Sequence, residues 1–200
     1  SAFYVEKGTA GLSVGNEENK MGIRTSNTTD VVFEDMRVPA SALIGKEGEG
    51  FKIAMQTLDM ARAIMGIGAT GIMQRCVDEA VAYSKQRITF GQPIGKFEAI
   101  QFMIADMEIK TETARQMSLH ALKLQEEGLP YGKESAIAKC YGGDIAVQVA
   151  LDAIQILGGY GYSREYPVEK LLRDAKIFQI YEGTNQVQRM VISRAVMGRF

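Results

Sequence analysis

Apolar residues follow two different rhythms along this chain. Up to about residue 45 they come in short runs, Phe3-Tyr4-Val5, Leu12-Ser13-Val14 and Val31-Val32-Phe33, separated by turns such as Lys7-Gly8-Thr9-Ala10-Gly11. Such runs between Gly- and Asn-rich turns predict short strands, the last ending near Val38-Pro39. Three or four short strands make a poor domain alone. Either they pair weakly with each other, or their partner strands lie outside the chain. From about Glu49 the rhythm is helical. Phe51, Ala54, Met55, Leu58, Ala61 and Met65, continued by Ile72, Cys76, Ala80 and Tyr83, predict one helix over residues 48–87. Phe90-Gly91-Gln92-Pro93 breaks it. A second stripe (Ile100, Met103, Ile104, Met107, Thr111, Ala114, Ser118, Ala121) predicts a helix from near Phe97 to a stop at Gly128-Leu129-Pro130. In a third, over residues 132–157, Ala136, Cys140, Gly143, Val147, Ala150, Ile154 and Leu157 keep a strict 4,3 spacing. Small residues on that seam imply close packing in a bundle. Gly158-Gly159 stops it. Pro167 fits the first turn of a short fourth helix reaching about Ile177. Thr184 suits the N-cap of a fifth, expected to run to the chain end. The expected fold class is mainly α: an up-down four-helix-bundle-like domain preceded by a β remnant.

Charge narrows the partners. With 23 Lys+Arg against 24 Asp+Glu, the net charge is −1. A nucleic-acid binder needs a basic face, so nucleic acid is not an expected partner, nor is an anionic membrane. No apolar run reaches the roughly 18 residues of a spanning helix. A composition of 46% apolar and 24% charged residues over 200 positions is that of a globular protein with room for a core. Two cysteines without a CxxC, Cys76 and Cys140, and a single histidine, His120, argue against a disulfide framework and against zinc, and no metal is expected. The chain opens on Ser1, not Met, and we expect an excised piece of a longer protein.

Several segments carry chemistry that competes with a plainer role. Gly66-Ile67-Gly68-Ala69-Thr70-Gly71 matches the dinucleotide fingerprint in letters only, because no strand precedes it and it lies inside a helical pattern. Small residues that let a neighbouring helix approach explain it better. Cys76, Cys140 and the eleven methionines read as core packing. Arg87-Ile88-Thr89-Phe90-Gly91-Gln92-Pro93 reads equally as a helix C-terminus with its usual cation and as an arginine aimed at a phosphate beside an aromatic ring. Gln155-Ile156-Leu157-Gly158-Gly159-Tyr160-Gly161-Tyr162 reads as a helix C-cap, although adjacent glycines also let backbone approach a ligand. In Ile180-Tyr181-Glu182-Gly183-Thr184-Asn185-Gln186, Glu182 follows an apolar run and precedes a helix. A carboxylate against apolar surface has its charged form disfavoured, which suits a general base. A capping acid at a positive helix N-terminus is the other reading, and on local grounds the favoured one.

Taken together and in order, these motifs resemble the acyl-CoA dehydrogenase family. The resemblance rests on Phe90-Gly91-Gln92-Pro93-Ile94-Gly95 with Ile100-Gln101-Phe102, the Gln155–Gly161 segment, Arg173-Asp174-Ala175-Lys176, and Ile180-Tyr181-Glu182-Gly183-Thr184-Asn185-Gln186. Upstream, Met21-Gly22-Ile23-Arg24, Phe33-Glu34-Asp35, Val38-Pro39 and Gly45-Lys46-Glu47-Gly48-Glu49-Gly50-Phe51 also match, so essentially the whole chain is covered. The stretch from Gly50 to Arg62 is most similar to the short-chain, butyryl-CoA branch. The resemblance implies that residues 1–46 are the C-terminal part of the family's middle β-domain and residues 47–200 its C-terminal helical bundle.

It also implies an activity. The family uses FAD to oxidise acyl-CoA to trans-2-enoyl-CoA, a glutamate taking the α-proton while the flavin accepts the β-hydride. Glu182 matches that base. A minority of the family places the base one residue before the arginine matching Arg62, where this chain has Ala61. Asp59, Met60, Ala61 and Arg62 match a substrate-contacting stretch, and Gly183 a backbone contact to the thioester. Arg87 and Phe90 match residues at the pyrophosphate and adenosine parts of FAD. Gln155, Ile156, Leu157, Gly158 and Gly159 match a second FAD segment, contributed across a subunit interface, and Thr184, Asn185 and Gln186 match a third. Glu98 stands where the family usually has a glutamine near FAD, and an acid has no amide to donate there. Such enzymes are usually homotetramers built through the bundle, and pass electrons to an electron-transfer flavoprotein. They lie in the cytoplasm of bacteria or the mitochondrial matrix of eukaryotes. Two rival expectations stand beside this one: a helical assembly module without activity of its own, and an oxidase or nitroalkane-type relative using oxygen directly.

Overall fold

The computed structural model describes residues 1–198, which cluster into two units, Ser1–Leu58 and a second from Asp59 onward. In the first unit the short strands pair with each other. β1 (Ala2–Phe3) is antiparallel to β4 (Leu43–Ile44), with Ala2 opposite Ile44, and β2 (Leu12–Val14) is antiparallel to β3 (Val31–Phe33), with Ser13 opposite Val32. The first strand ends at Phe3 rather than continuing through Val5, and Tyr4 bonds instead to Ala42 O at 2.9 Å. Val14, Val31, Phe33 and Phe3 remain exposed. These ribbons bury little on their own, as three-residue strands must.

Five helices make the rest. α1 (Gly50–Gln86) begins in the first unit and continues into the second, followed by α2 (Glu98–Glu126), α3 (Gly132–Leu157), α4 (Val168–Lys176) and α5 (Asn185–Met197). The protein is thus mainly α, a helical bundle preceded by short strands. α3 is the centre, packed against α2, α4 and α5, and its buried residues run from Ser135 and Ala136 to Ile156 and Leu157. Small side chains make that possible. Gly66 of α1 lies against Ala138 and Ser118, and a Cβ on Gly142 would stand 3.5 Å from the Gly66 Cα. Two glycines of the fingerprint-like stretch are therefore close-contact positions inside α1, Gly66 against α3 and Gly68 facing the Phe178 ring, whereas Gly71 meets nothing within 4 Å. Lys110 and Asp152 tie α2 to α3 at 3.0 Å.

Helix ends follow local chemistry. Gly158, at φ 61, caps α3 through its N–H to Gln155 O and Ile154 O. Thr184 Oγ1 accepts from Val187 N at 3.3 Å and caps α5. The expected run of that helix to the last residues lies outside the described part. Two packing expectations are corrected. Phe51 is 76% exposed, and Ile53, against the Gly45 turn, carries the buried side of the first turn of α1. Of the methionines, Met73 and Met107 fill the core, whereas Met21, Met60, Met190 and Met197 are exposed. Both cysteines are free and buried, and burial pushes the Cys76 thiol up to about 12.

Candidate functional site

Two clusters in the second unit collect the candidate residues. The first is a cleft of about 640 Å³ where α1 ends. There Arg87 follows the helix, and Ile88–Thr89 (β5) pairs with Gln92–Pro93 (β6) across a two-residue turn. Phe90 (φ 51) and Gly91 (φ 75) form that turn, both left-handed as a tight hairpin requires. Phe90 is 91% exposed and meets Phe97 edge to face. The Arg87 guanidinium lies over the Tyr160 ring, 5.6 Å from its centre, and Tyr160 packs with Tyr83 and Tyr166. Ile156, Leu157, Gly158 and Gly159 line the same cleft. Ile156 and Leu157 are themselves buried. Cβ atoms on Gly158 or Gly159 would meet nothing within 4 Å. An exposed cation, edge-packed aromatics and bare backbone suit an extended phosphate-bearing ligand. Phe90, Glu98 and Gln155 are not among the lining residues, and all three are exposed.

The second cluster surrounds the turn before α5. Glu182 (φ 56) and Gly183 (φ 86) are consecutive left-handed residues. A glutamate in that conformation stores strain, which surrounding structure must hold in place. Thr184, not Glu182, caps the helix. Among the described residues, nothing donates a hydrogen bond to the half-buried Glu182 carboxylate. Phe178 and Tyr181 pack edge to face beside it, and burial, with the nearby Glu182 charge, pushes the Tyr181 hydroxyl up to about 12. Asn185 is buried, its amide donating to Cys140 O at 3.0 Å and to Asp144 Oδ1 at 2.8 Å. Asp144 also accepts from Arg189 at 2.6 Å and Gln179 at 2.8 Å. Despite a burial cost, the Arg189, Asn185 and Gln179 hydrogen bonds hold its carboxyl below the usual range. Gln186 is exposed.

Arg62 is buried on α1, paired with Asp59 at 2.5 Å, and its Nε has no partner. Ser135 donates to Asp59 O. Met60 faces outward and Ala61 is half-buried. Beside Arg62 stands a residue absent from the sequence-based candidates, Lys139. It is 1% exposed and donates to Gly183 O at 2.7 Å and Asn185 Oδ1 at 2.9 Å. Gln188, fully buried on α5, was missed as well. Its Nε2 donates to Gly183 O at 2.9 Å and Glu182 O at 3.2 Å. The available signal was position. Lys139 falls among Ser135, Ala136, Gly142 and Gly143, small residues that let neighbours close over it.

Burial pushes the Lys139 ammonium down to about 8, opposed by Cys140, Asp144 and Glu182 and reinforced by Arg62. An unfolded chain keeps that proton up to the ordinary lysine value of 10.5. Between those values the unfolded state binds more protons, so this group makes stability rise with pH. Cys140, Cys76 and Tyr181, pushed up by burial, pull the other way at alkaline pH. The difference between wild type and Lys139→Met isolates the lysine. Denaturant midpoints measured from pH 7 to 10 are expected to rise for wild type relative to the variant; parallel curves would refute it.

The clusters are separate. From Asp144 to Leu157 the axis of α3 runs roughly 20 Å. Among the described residues no cluster of His, Cys, Asp and Glu suits a metal, and no helix is long and apolar enough to cross a membrane.

The sequence profile of the acyl-CoA dehydrogenase C-terminal domain matches residues 48–197. An acyl-CoA dehydrogenase of Bacillus subtilis is 50% identical over 198 residues, covering 99% of this chain and 52% of the relative. The structure of butyryl-CoA dehydrogenase from Megasphaera elsdenii superposes with a TM-score of 0.96 at 50% identity, covering 98% of this chain and 51% of that one. A chain in a structure described as the electron transferring flavoprotein of Acidaminococcus fermentans superposes with a TM-score of 0.97 at 52% identity, covering 98% and 52%. The chain therefore spans about half the length of the relatives it matches.

Proposed function

The chain belongs to the acyl-CoA dehydrogenase family, whose C-terminal domain it carries, and from that premise we propose that it forms the catalytic C-terminal half of an FAD-dependent acyl-CoA dehydrogenase acting on short-chain thioesters. One observation carries the reading. Glu182 is held in a left-handed turn by buried donors while its carboxylate has no hydrogen-bond donor among the described residues. That is the state of a base waiting for a proton. The residues also fit the cofactor. Arg87 offers a cation to a pyrophosphate, and Gly158 and Gly159 leave room where a side chain would intrude. FAD, when bound, supplies the acceptor for the β-hydride.

The chain's own residues do the rest. Glu182 takes the α-proton onto a carboxylate oxygen. Gly183 leaves space for the thioester and presents backbone to it. Arg62, its Nε unpartnered, stands near the substrate with Asp59, Met60 and Ala61 along the same turn of α1. Thr184, Asn185 and Gln186 lie at the second cluster, whereas the segment from Gln155 to Gly159 lies near the first. That separation supports a cofactor site completed across a subunit interface, in a homotetramer built through the bundle. The likeness to a chain from a flavin-bifurcation study supports an electron-transfer flavoprotein as acceptor. A bacterial source implies a cytoplasmic enzyme, a eukaryotic one the mitochondrial matrix.

A second reading has its own support. Because the chain spans half of its relatives, it is also consistent with an assembly module inactive by itself. An anaerobic visible spectrum of the chain with added FAD, before and after butyryl-CoA, separates the two. The proposed function predicts a protein-bound flavin band that bleaches. A colourless protein assigns this chain to the module reading. Bleaching that reverses with stoichiometric oxygen consumption during turnover would instead favour the oxidase-type relative.

A further inference from the structure

We propose that Lys139 is a positioning residue for the base: from the middle of α3 its ammonium holds the Gly183 carbonyl and the Asn185 side chain, fixing the turn from which Glu182 projects. The inference rests on the reading of Glu182 as the base. Lys139 is the one lysine among the buried polar residues described. A lysine removed from water must find acceptors for its ammonium hydrogens. Both of its hydrogen bonds go to this turn, at 2.7 and 2.9 Å, across 44 and 46 residues of sequence.

Gln188 works from the other side. Its amide meets the same Gly183 carbonyl and the Glu182 carbonyl. Two consecutive carbonyls are therefore turned inward, one held by a cation and an amide, the other by the amide. In a trans peptide the N–H points opposite to the C=O, so the Gly183 and Thr184 N–H groups face away from Lys139 and Gln188. The turn's left-handed pair, Glu182 and Gly183, cannot rely on its own preference and persists because these contacts over-determine it. Asn185 extends the anchor to Asp144 and Cys140 on α3. An apolar residue would fill the Lys139 cavity without the cost of desolvating a charge. What the ammonium supplies instead is a fixed direction for the base.

The test uses the FAD-loaded protein. Lys139→Met removes the ammonium at near-constant volume. Displacing a base by about 1 Å costs on the order of 100-fold, so kcat with butyryl-CoA is expected to fall roughly 30- to 100-fold. KM and FAD content should stay near wild type, because neither substrate nor cofactor touches Lys139, and the melting temperature at pH 7, below the range where this lysine titrates, should stay near wild type too. Lys139→Arg, which keeps a cation and its donors, should regain roughly a tenth or more of the wild-type rate. In the variant, the Thr184 amide should exchange with deuterium faster while amides of α2 are unchanged. Lys139→Gln takes the place of Lys139→Met if the latter does not fold, read in the same way. Wild-type kcat in the neutral variant overturns the proposal. So does a joint loss of kcat, KM and FAD binding, which marks a general structural role. Glu182→Gln separates the two levels. An active Glu182→Gln removes the base reading and this proposal with it. An inactive Glu182→Gln beside a fully active Lys139→Met removes this proposal alone.

Discussion

Glu182→Gln is expected to lower turnover of butyryl-CoA by roughly 1,000-fold, within the range that a positioned base contributes, while FAD stays bound. The amide has nearly the shape of the acid but cannot accept the α-proton. It should leave the fold intact, because the turn is held through backbone carbonyls and not through this side chain. Lys139 and Gln188 bond to Gly183 O and Glu182 O, and Thr184 caps α5. Near-normal melting and flavin content with lost turnover is the expected pattern, read from steady-state rates and the flavin spectrum. A variant with wild-type kcat would show that another group takes the proton. Ala61, at the family's alternative position, has no titratable group to offer.

A large stability effect is expected at Gly143. A Cβ there would come within 2.6 Å of the Phe178 carbonyl oxygen and 3.2 Å of the Asn185 amide nitrogen. The first is backbone and has nowhere to move without shifting the turn between α4 and α5. Gly143→Ala is expected to cost about 3 kcal/mol, at the upper end for overpacking. In a chain of this size that is a fall of roughly 6–12 °C in melting temperature. Gly71→Ala on α1 is the control, since nothing lies within 4 Å of its added Cβ. There alanine's better helix propensity should raise stability by about 0.5–1 kcal/mol. Equal melting shifts for the two variants would refute the close contact between α3 and Phe178.

What could be read from the residues, and what could not, follows from how local each signal is. The third helix was legible from end to end because its 4,3 spacing, its small residues and Gly158 all act within a few positions. The hairpin at Ile88–Pro93 was read only as a break. A two-residue turn of this kind is usually marked by Asn-Gly, and here Phe90 takes the left-handed position. Local chemistry favoured a capping role for Glu182 over a base role. The structure gives the cap to Thr184 by a bond spanning only three residues. Lys139 was invisible in one dimension. On a helical pattern it reads as a solvated charge, and only the fold brings Gly183 and Asn185 to it. Three of the strands between Ala2 and Ile44 were detectable as runs, but Leu43–Ile44 was not among them, and the pairing of Ala2 with Ile44 and of Ser13 with Val32 has no local mark.

The tyrosines beside Arg87 give the protein a built-in optical reporter. The chain has eight tyrosines and no tryptophan, so its ultraviolet emission comes from tyrosine alone. Three of them, Tyr83, Tyr160 and Tyr166, pack tilted or edge to face within 6.2 Å of one another, the first two at the wall of the first cleft. Excitation of any one is shared among neighbours at that spacing. A chromophore settling against Tyr160 therefore drains light from the whole group, and the occupancy of the cleft becomes visible as lost fluorescence without any label.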